Sequence, residues 1–205
     1  MLKISPKSID ALFLSNHDNG RSAGMLSRNT DMEKMAAALY ILAPGNSFIY
    51  YGEEVGLTGS GKDENKRLPM LWSIADKTGI TNPPPNAEFF EQSEQGVKEQ
   101  LADKESLLRY YIKLIDIKNS YIEIAGGLIT AIETPDSSIV AFSCAYEGDE
   151  VIVLHNLSTE PVTLTVDKTK VEYKKIAECI SVNGDKSKLK GDTLSMPGRS
   201  SVILK

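Results

Sequence analysis

Apolar and polar positions change rhythm once along the chain. Up to about residue 121, short apolar runs alternate with longer stretches in which apolar residues recur every three or four positions. Leu12, Phe13 and Leu14 rise out of a polar lead-in and stop at Ser15. Such a run suits a buried strand, although periodicity alone does not separate it from a helix fragment. TDMEKMAAALYILAPG reads as a helix, with Thr30 and Glu33 at capping-box spacing and Pro44-Gly45 as its stop. Met32, Met35, Ala36, Leu39 and Leu42 form its expected core-facing stripe. SFIYYGEEVG reads as a second strand ending at Gly52. Strand, helix and strand with tight joints predict a parallel βαβ unit.

From Leu57 to about Glu99 the chain is loop-rich, and Pro83, Pro84 and Pro85 exclude regular helix there. A further helix is expected through DKESLLRYYIKLIDIKNSY, with Leu107, Leu108, Tyr111, Leu114 and Ile115 on one face. After Gly126-Gly127 the pattern becomes one of short strands and turns. SIVAFSCAY and EVIVLHNL flank a hairpin at EGD, PVTLTV alternates, VEYKKIAECISV runs to an Asn183-Gly184 turn, and SSVILK follows. Evenly spaced antiparallel strands point to a sandwich or barrel. The expected division is therefore 1–121, α/β, and 122–205, all-β.

Composition narrows the partners. A formal net charge of -5 over 205 residues argues against nucleic acid or an anionic membrane surface. No apolar run is long enough to span a bilayer, and MLKISPKSID has no apolar signal core. Cys144 and Cys179 form no metal-ligand pattern and read as core residues. GSGK lacks the spacing of a phosphate-binding loop.

The chemistry concentrates in FLSNHDNGR, residues 13–21. Polar groups at the carboxyl end of a buried parallel strand are where barrel and open α/β enzymes keep ligand contacts. Asn16, His17, Asp18 and Asn19 also suit a plain loop cap, the reading that local chemistry alone favours. Arg21 either pairs with a carboxylate, Asp18 among them, or stays solvated. Glu53 and Glu54 are adjacent, so their side chains diverge and make no catalytic pair. KDENK lacks the regular spacing of a calcium loop and is expected to be a solvated loop. His155, in a strand, reads as a structural histidine.

These segments together resemble the α-amylase family of glycoside hydrolases (family 13). FLSNHDNGR is similar to its fourth conserved region, IYYGEEVG to its eighth barrel strand, and KRLPMLW to an Arg-x-Pro-Met-x-Trp loop found in many members. LLRYYIKLIDIKNSYIEIAGG resembles the last barrel helix, and VIVLHNLS and LSMPGRSSVIL resemble the C-terminal β-domain. The resemblance implies the last two β/α units of a (β/α)8 (TIM) barrel followed by an antiparallel Greek-key β-sandwich. It implies retaining cleavage of α-glucosidic bonds, first of all as an α-amylase. Oligo-1,6-glucosidases, neopullulanases and sugar transferases share these motifs.

By resemblance, His17 and Asp18 contact the glucose unit before the cleaved bond, and Asp18 is the carboxylate that stabilises the transition state. Arg21, Arg67 and Trp72 are further candidate substrate contacts; Trp72 either stacks on sugar or pins its loop. The resemblance also implies that one of Glu53 and Glu54 braces the barrel and takes no part in catalysis. The nucleophile and general acid of the family lie on earlier strands, so the 205 residues alone are expected to be inactive. No cofactor is expected in this chain, while calcium in the parent enzyme stays open. The expected partner is α-glucan or malto-oligosaccharide; starch would place the parent outside the cell, short oligosaccharides inside. Unpaired edges predict self-association through residues 1–60. The competing class, a non-catalytic carbohydrate-binding module, would call for a row of surface aromatics, whereas Tyr146 and Tyr173 of the β-rich part are scattered.

Overall fold

The computed structural model describes residues 8–166 and 173–205. The lead-in MLKISPK and the first residues of VEYKKIAECISV lie outside them. The chain divides into two compact units, one of Ala11–Tyr40 and Ser47–Lys113, the other of Met1–Asp10, Ile41–Asn46 and Leu114–Lys205.

Strand β1 covers Ala11–Leu12 and β2 covers Asn46–Ser47. The Asn46 amide donates to the Asp10 carbonyl (2.8 Å) and the Phe48 amide to that of Leu12 (2.7 Å). The bonds advance in the same direction along both strands, which is the parallel pairing expected of a βαβ unit. Strand β1 stops inside its apolar run, and β2 takes two polar residues and stops before Phe48, which corrects the expected strand running to Gly52. In the described residues β1 and β2 pair only with each other, so each has a ladder on one edge only.

Between them lie α1 (Ser22–Met25) and α2 (Thr30–Ile41). The expected cap and stripe of α2 are both corrected. Asn29, not Thr30, caps the helix, its Oδ1 accepting the Met32 amide at 3.0 Å. Met32 and Leu39 are exposed, while Glu33, Lys34, Met35, Ala37, Ala38 and Ile41 are buried. Two alanines let the helix approach its neighbours closely, and the charged pair beside them is buried on the same side. The Lys34 ammonium there donates to the Glu105 carbonyl at 2.6 Å.

Helix α3 covers Val97–Ala102 and α4 covers Leu107–Ser120. In α4, Leu107, Leu108, Tyr111 and Leu114 are buried as the periodicity predicts, and Ile115 is half-buried.

The second unit carries α5 (Ile122–Gly126), then strands β3 (Leu128–Ile132), β4 (Ile139–Tyr146), β5 (Asp149–Asn156), β6 (Val162–Thr165), β7 (Ile176–Ser181), β8 (Lys188–Lys190), β9 (Thr193–Met196) and β10 (Ser200–Leu204). One antiparallel sheet runs β3-β4-β5-β10-β7 and a second runs β6-β9-β8. Ile152, Leu154, Val202 and Leu204 of the first sheet share a core with Leu164, Leu194 and Met196 of the second, so the two pack as a sandwich. The β4–β5 hairpin turns on Glu147 and Gly148, both at positive φ (52° and 97°), as a tight two-residue hairpin requires.

Candidate active site

Past the end of β1, the chain turns on Asn16. Its Oδ1 accepts the amides of Asp18 and Asn19, each at 2.8 Å, a local closure that Asn makes readily. The turn leaves the His17 and Asp18 side chains largely exposed, with Nε2 of one 3.4 Å from Oδ2 of the other. An imidazole and a carboxylate thus stand together at the carboxyl end of a parallel strand.

The turn is held from below. Ser15 Oγ donates to Glu53 Oε2 at 2.7 Å, and the phenols of Tyr40 and Tyr111 donate to Glu53 Oε1 at 2.8 and 3.0 Å. Burial, and then the Glu53 charge, push both phenols well above the ordinary tyrosine value. They remain protonated donors, and the buried carboxylate keeps three partners. Glu53 is a brace. Glu54 points elsewhere, with its Oε2 buried and unpartnered among the described residues.

A second loop locks the far side. Residues Asp63–Arg67 form a 3-10 turn in which Asn65 and Lys66 are buried, which corrects the expectation of a solvated KDENK loop. Lys66 Nζ donates to the main-chain carbonyl of Asp18 at 2.7 Å and to Asp63 Oδ1 at 3.2 Å. The Arg21 amide donates to the Gly59 carbonyl at 2.9 Å. Gly59 has φ +147°, and a side chain there would collide with the Asn65 carbonyl, so glycine is required.

Arg21 takes neither of its expected roles. It is 1% exposed, and its guanidinium lies 4.0 Å from the Tyr50 ring centre and 4.5 Å from that of Tyr51. Nε donates to the Lys66 carbonyl at 3.0 Å and Nη1 to the Tyr51 carbonyl. Burial lowers its pKa from the ordinary arginine value. Two tyrosine faces and two carbonyls replace the carboxylate, so Arg21 is a clamp between the loops and not a surface contact. Arg67 is half-exposed and pairs with Asp63 (3.6 Å). Trp72 is 49% exposed on an open groove with Asp76, Lys98 and Leu101. Its backbone is pinned, the Trp72 carbonyl accepting the Lys98 amide at 2.9 Å.

Lys66 is the residue that sequence reasoning undervalued: its Asp18 partner lies 48 positions away, and no local pattern marks it. The bracing glutamate that the resemblance implies is Glu53, not Glu54. His155 is wholly buried, as expected of a structural histidine, but among the described residues only its Nδ1 is satisfied, 2.8 Å from Ser201 Oγ. Among the described residues no three His, Cys, Asp or Glu side chains are grouped to hold a metal ion, and no helix is long and apolar enough to cross a membrane.

Residues 1–127 match the family model "Alpha amylase, catalytic domain", and residues 139–203 match "Alpha-amylase SusG C-terminal domain". The chain belongs to the α-amylase family. It is 31% identical to alpha-amylase SusG of Bacteroides thetaiotaomicron over 96% of its length, and 33% identical to alpha-amylase 3 of Dictyoglomus thermophilum over 73%. It spans 29% and 30% of those proteins. Among solved structures, Eubacterium rectale Amy13B superposes with a TM-score of 0.92 at 32% identity, covering 99% of this chain and 40% of that one. In this family the 205 residues comprise the last two β/α units of the (β/α)8 barrel and the C-terminal β-sandwich.

Proposed function

We propose that these residues belong to a retaining glycoside hydrolase, an α-amylase acting on the α-1,4 bonds of α-glucans. The observation that carries the reading is the Asn16–His17–Asp18 turn, which sets an exposed imidazole and carboxylate at a strand end and anchors both loops beneath them. Retaining hydrolysis uses one carboxylate as nucleophile and one carboxylic acid, about 5–5.5 Å apart. In this reading both come from earlier barrel strands. Asp18 is the third carboxylate: it accepts hydrogen bonds from sugar hydroxyls and faces the positive charge that develops at the anomeric carbon. A fixed charge aimed at developing charge stabilises the transition state more than the ground state. His17 donates to a hydroxyl of the same sugar unit, and Trp72 offers its ring to a neighbouring one. Residues 1–121 are the barrel portion and 122–205 the β-domain. No step of this reading calls on a metal.

The test is turnover of maltoheptaose against isomaltose by the whole enzyme. Preference for maltoheptaose, lost in Asp18→Asn, is the expected result. Preference for isomaltose would assign the enzyme to the α-1,6-cleaving members instead. Turnover indifferent to Asp18→Asn would overturn the site assignment.

A further inference from the structure

A separate pocket of about 470 Å³ opens beside the first turn of α2, lined among others by Ser27, Thr30, Glu33, Gly56, Gln100 and Glu105. At its wall stands Glu33, only 6% exposed. Its carboxyl has no hydrogen-bond partner among the described residues, and a methyl group added at Gly56 would lie 3.2 Å from its Oε2. With no such partner, the carboxyl of this largely buried residue is left to pair with what enters the pocket.

The neighbouring polar groups are already engaged. Gln100 Nε2 donates to the Val55 carbonyl (3.1 Å) and that of Gln95 (3.3 Å), and its Oε1 accepts the Leu108 amide (3.0 Å). Gln92 Oε1 accepts the Thr58 amide at 2.9 Å. The remaining capacity of the pocket is therefore mostly oxygen acceptors. Glu91, Glu94, Asp103 and Glu105 add carboxylates to the lining, and its one cation, Arg28, is held by Glu91 at 3.0 Å. The lining lacks an aromatic face on which a sugar ring would stack. The described residues form no three-ligand cage for a metal. What fits is a donor-rich organic cation.

We propose that the Glu33 pocket binds an aliphatic polyamine, one ammonium group pairing with Glu33 and the others with the acidic rim. Charge-assisted N–H···O bonds would satisfy the buried carboxyl and neutralise the rim. Burial, and secondarily the charge of Glu53 behind it, raise the Glu33 pKa to about 7. The other charged groups around it are Arg28, Glu91, Glu94, Asp103 and Glu105, together with Lys34, whose ammonium donates to the Glu105 carbonyl and lies in the field of Asp31, Asp103 and Glu105. An ammonium ion and a proton then compete for Glu33, so affinity should fall by up to about tenfold per pH unit below pH 7.

Isothermal titration of the 205-residue chain with spermidine at pH 8 and pH 6, at fixed ionic strength, tests this. Saturable binding at pH 8, weaker by about fivefold or more at pH 6 and by about tenfold in Glu33→Gln, is the expected result. Glu94→Arg, on the exposed rim, should weaken it comparably and guards against a folding defect in the first variant. Absence of saturable binding at millimolar spermidine, equal affinity in Glu33→Gln, or displacement of spermidine by maltotriose would overturn the proposal.

Discussion

The buried ammonium of Lys66 donates to the main-chain carbonyl of Asp18 at 2.7 Å, so the loop after β2 sets the position of the residue that ends β1's turn. A hydrogen bond from a charged group contributes about 1.5–3 kcal/mol. Lys66→Met should therefore lower the stability of the chain by about 2 kcal/mol. In the whole enzyme it should reduce kcat more than it changes KM, because a displaced Asp18 fails the transition state first. Urea denaturation and steady-state kinetics check both. Unchanged stability together with unchanged kcat would show that Lys66 positions nothing.

For Asp18 itself, the whole enzyme carrying Asp18→Asn should lose on the order of a hundredfold or more in kcat, as for loss of one preorganised group, while KM moves little. A carboxylate that matters mainly in the transition state leaves this signature. A large rise in KM with kcat intact would make Asp18 a ground-state binder.

The 205 residues alone should release no product from a chromogenic maltoside. Electrostatic stabilisation without a nucleophile and an acid leaves most of the barrier standing. Turnover that Asp18→Asn abolishes would sink this expectation.

The placement of His17 and Asp18 past a strand end was legible because an apolar run followed by a short polar motif is a local pattern, and the flanking segments fixed its context in order. Arg21 was misread because its role is set by two tyrosine faces and by carbonyls 30 and 45 positions away. Lys66 escaped for the same reason, since a charge run usually marks a solvated face. The α2 stripe failed where burial did not follow hydrophobicity: Glu33 and Lys34 went in while Met32 and Leu39 stayed out. In the β-domain, β4, β5, β6, β7 and β10 follow from period-two alternation and tight turns, which are short-range signals, whereas the short β8 and β9 and the exposed β3 were not expected. The shortness of β1 and β2 depends on ladder partners, which an apolar run does not report.

Two buried groups give pH slopes of opposite sign. Burial lowers the His155 pKa to about 4, so between about pH 4 and 6.5 the unfolded chain binds the extra proton and stability rises with pH. Burial raises the Glu33 pKa to about 7, so between about 4.5 and 7 the folded chain binds the extra proton and stability falls as pH rises. Each slope approaches about 1.4 kcal/mol per pH unit within its window. Relative to the native sequence, Glu33→Gln should make stability rise more steeply from pH 4.5 to 6.5, and His155→Gln less steeply. Denaturant midpoints at three pH values within that window measure the two slopes. Slopes that shift in the same direction in both variants would refute the assignment of these protonation states.

The 205 residues by themselves should associate through the β1–β2 region. Phe13 and Phe48 are 47% and 57% exposed, and both line an open groove of about 340 Å³ with Ala11, Ile49 and Tyr50. Apolar surface of this kind is rarely left bare on a soluble monomer. The backbone adds a second drive, because the two-stranded sheet leaves an edge on each side that can pair with another chain. The sandwich has its own core and needs no such partner. Light scattering after gel filtration should therefore give a mass above that of one chain, rising with concentration. Phe13→Ser with Phe48→Ser should return it toward the monomer without unfolding the sandwich. Amide exchange supplies the local readout: in the associated form, amides of 11–14 and 46–49 should slow as concentration rises. A chain that stays monomeric at high concentration, with those amides already slow, would mean that the short parallel pair is stable without further strands.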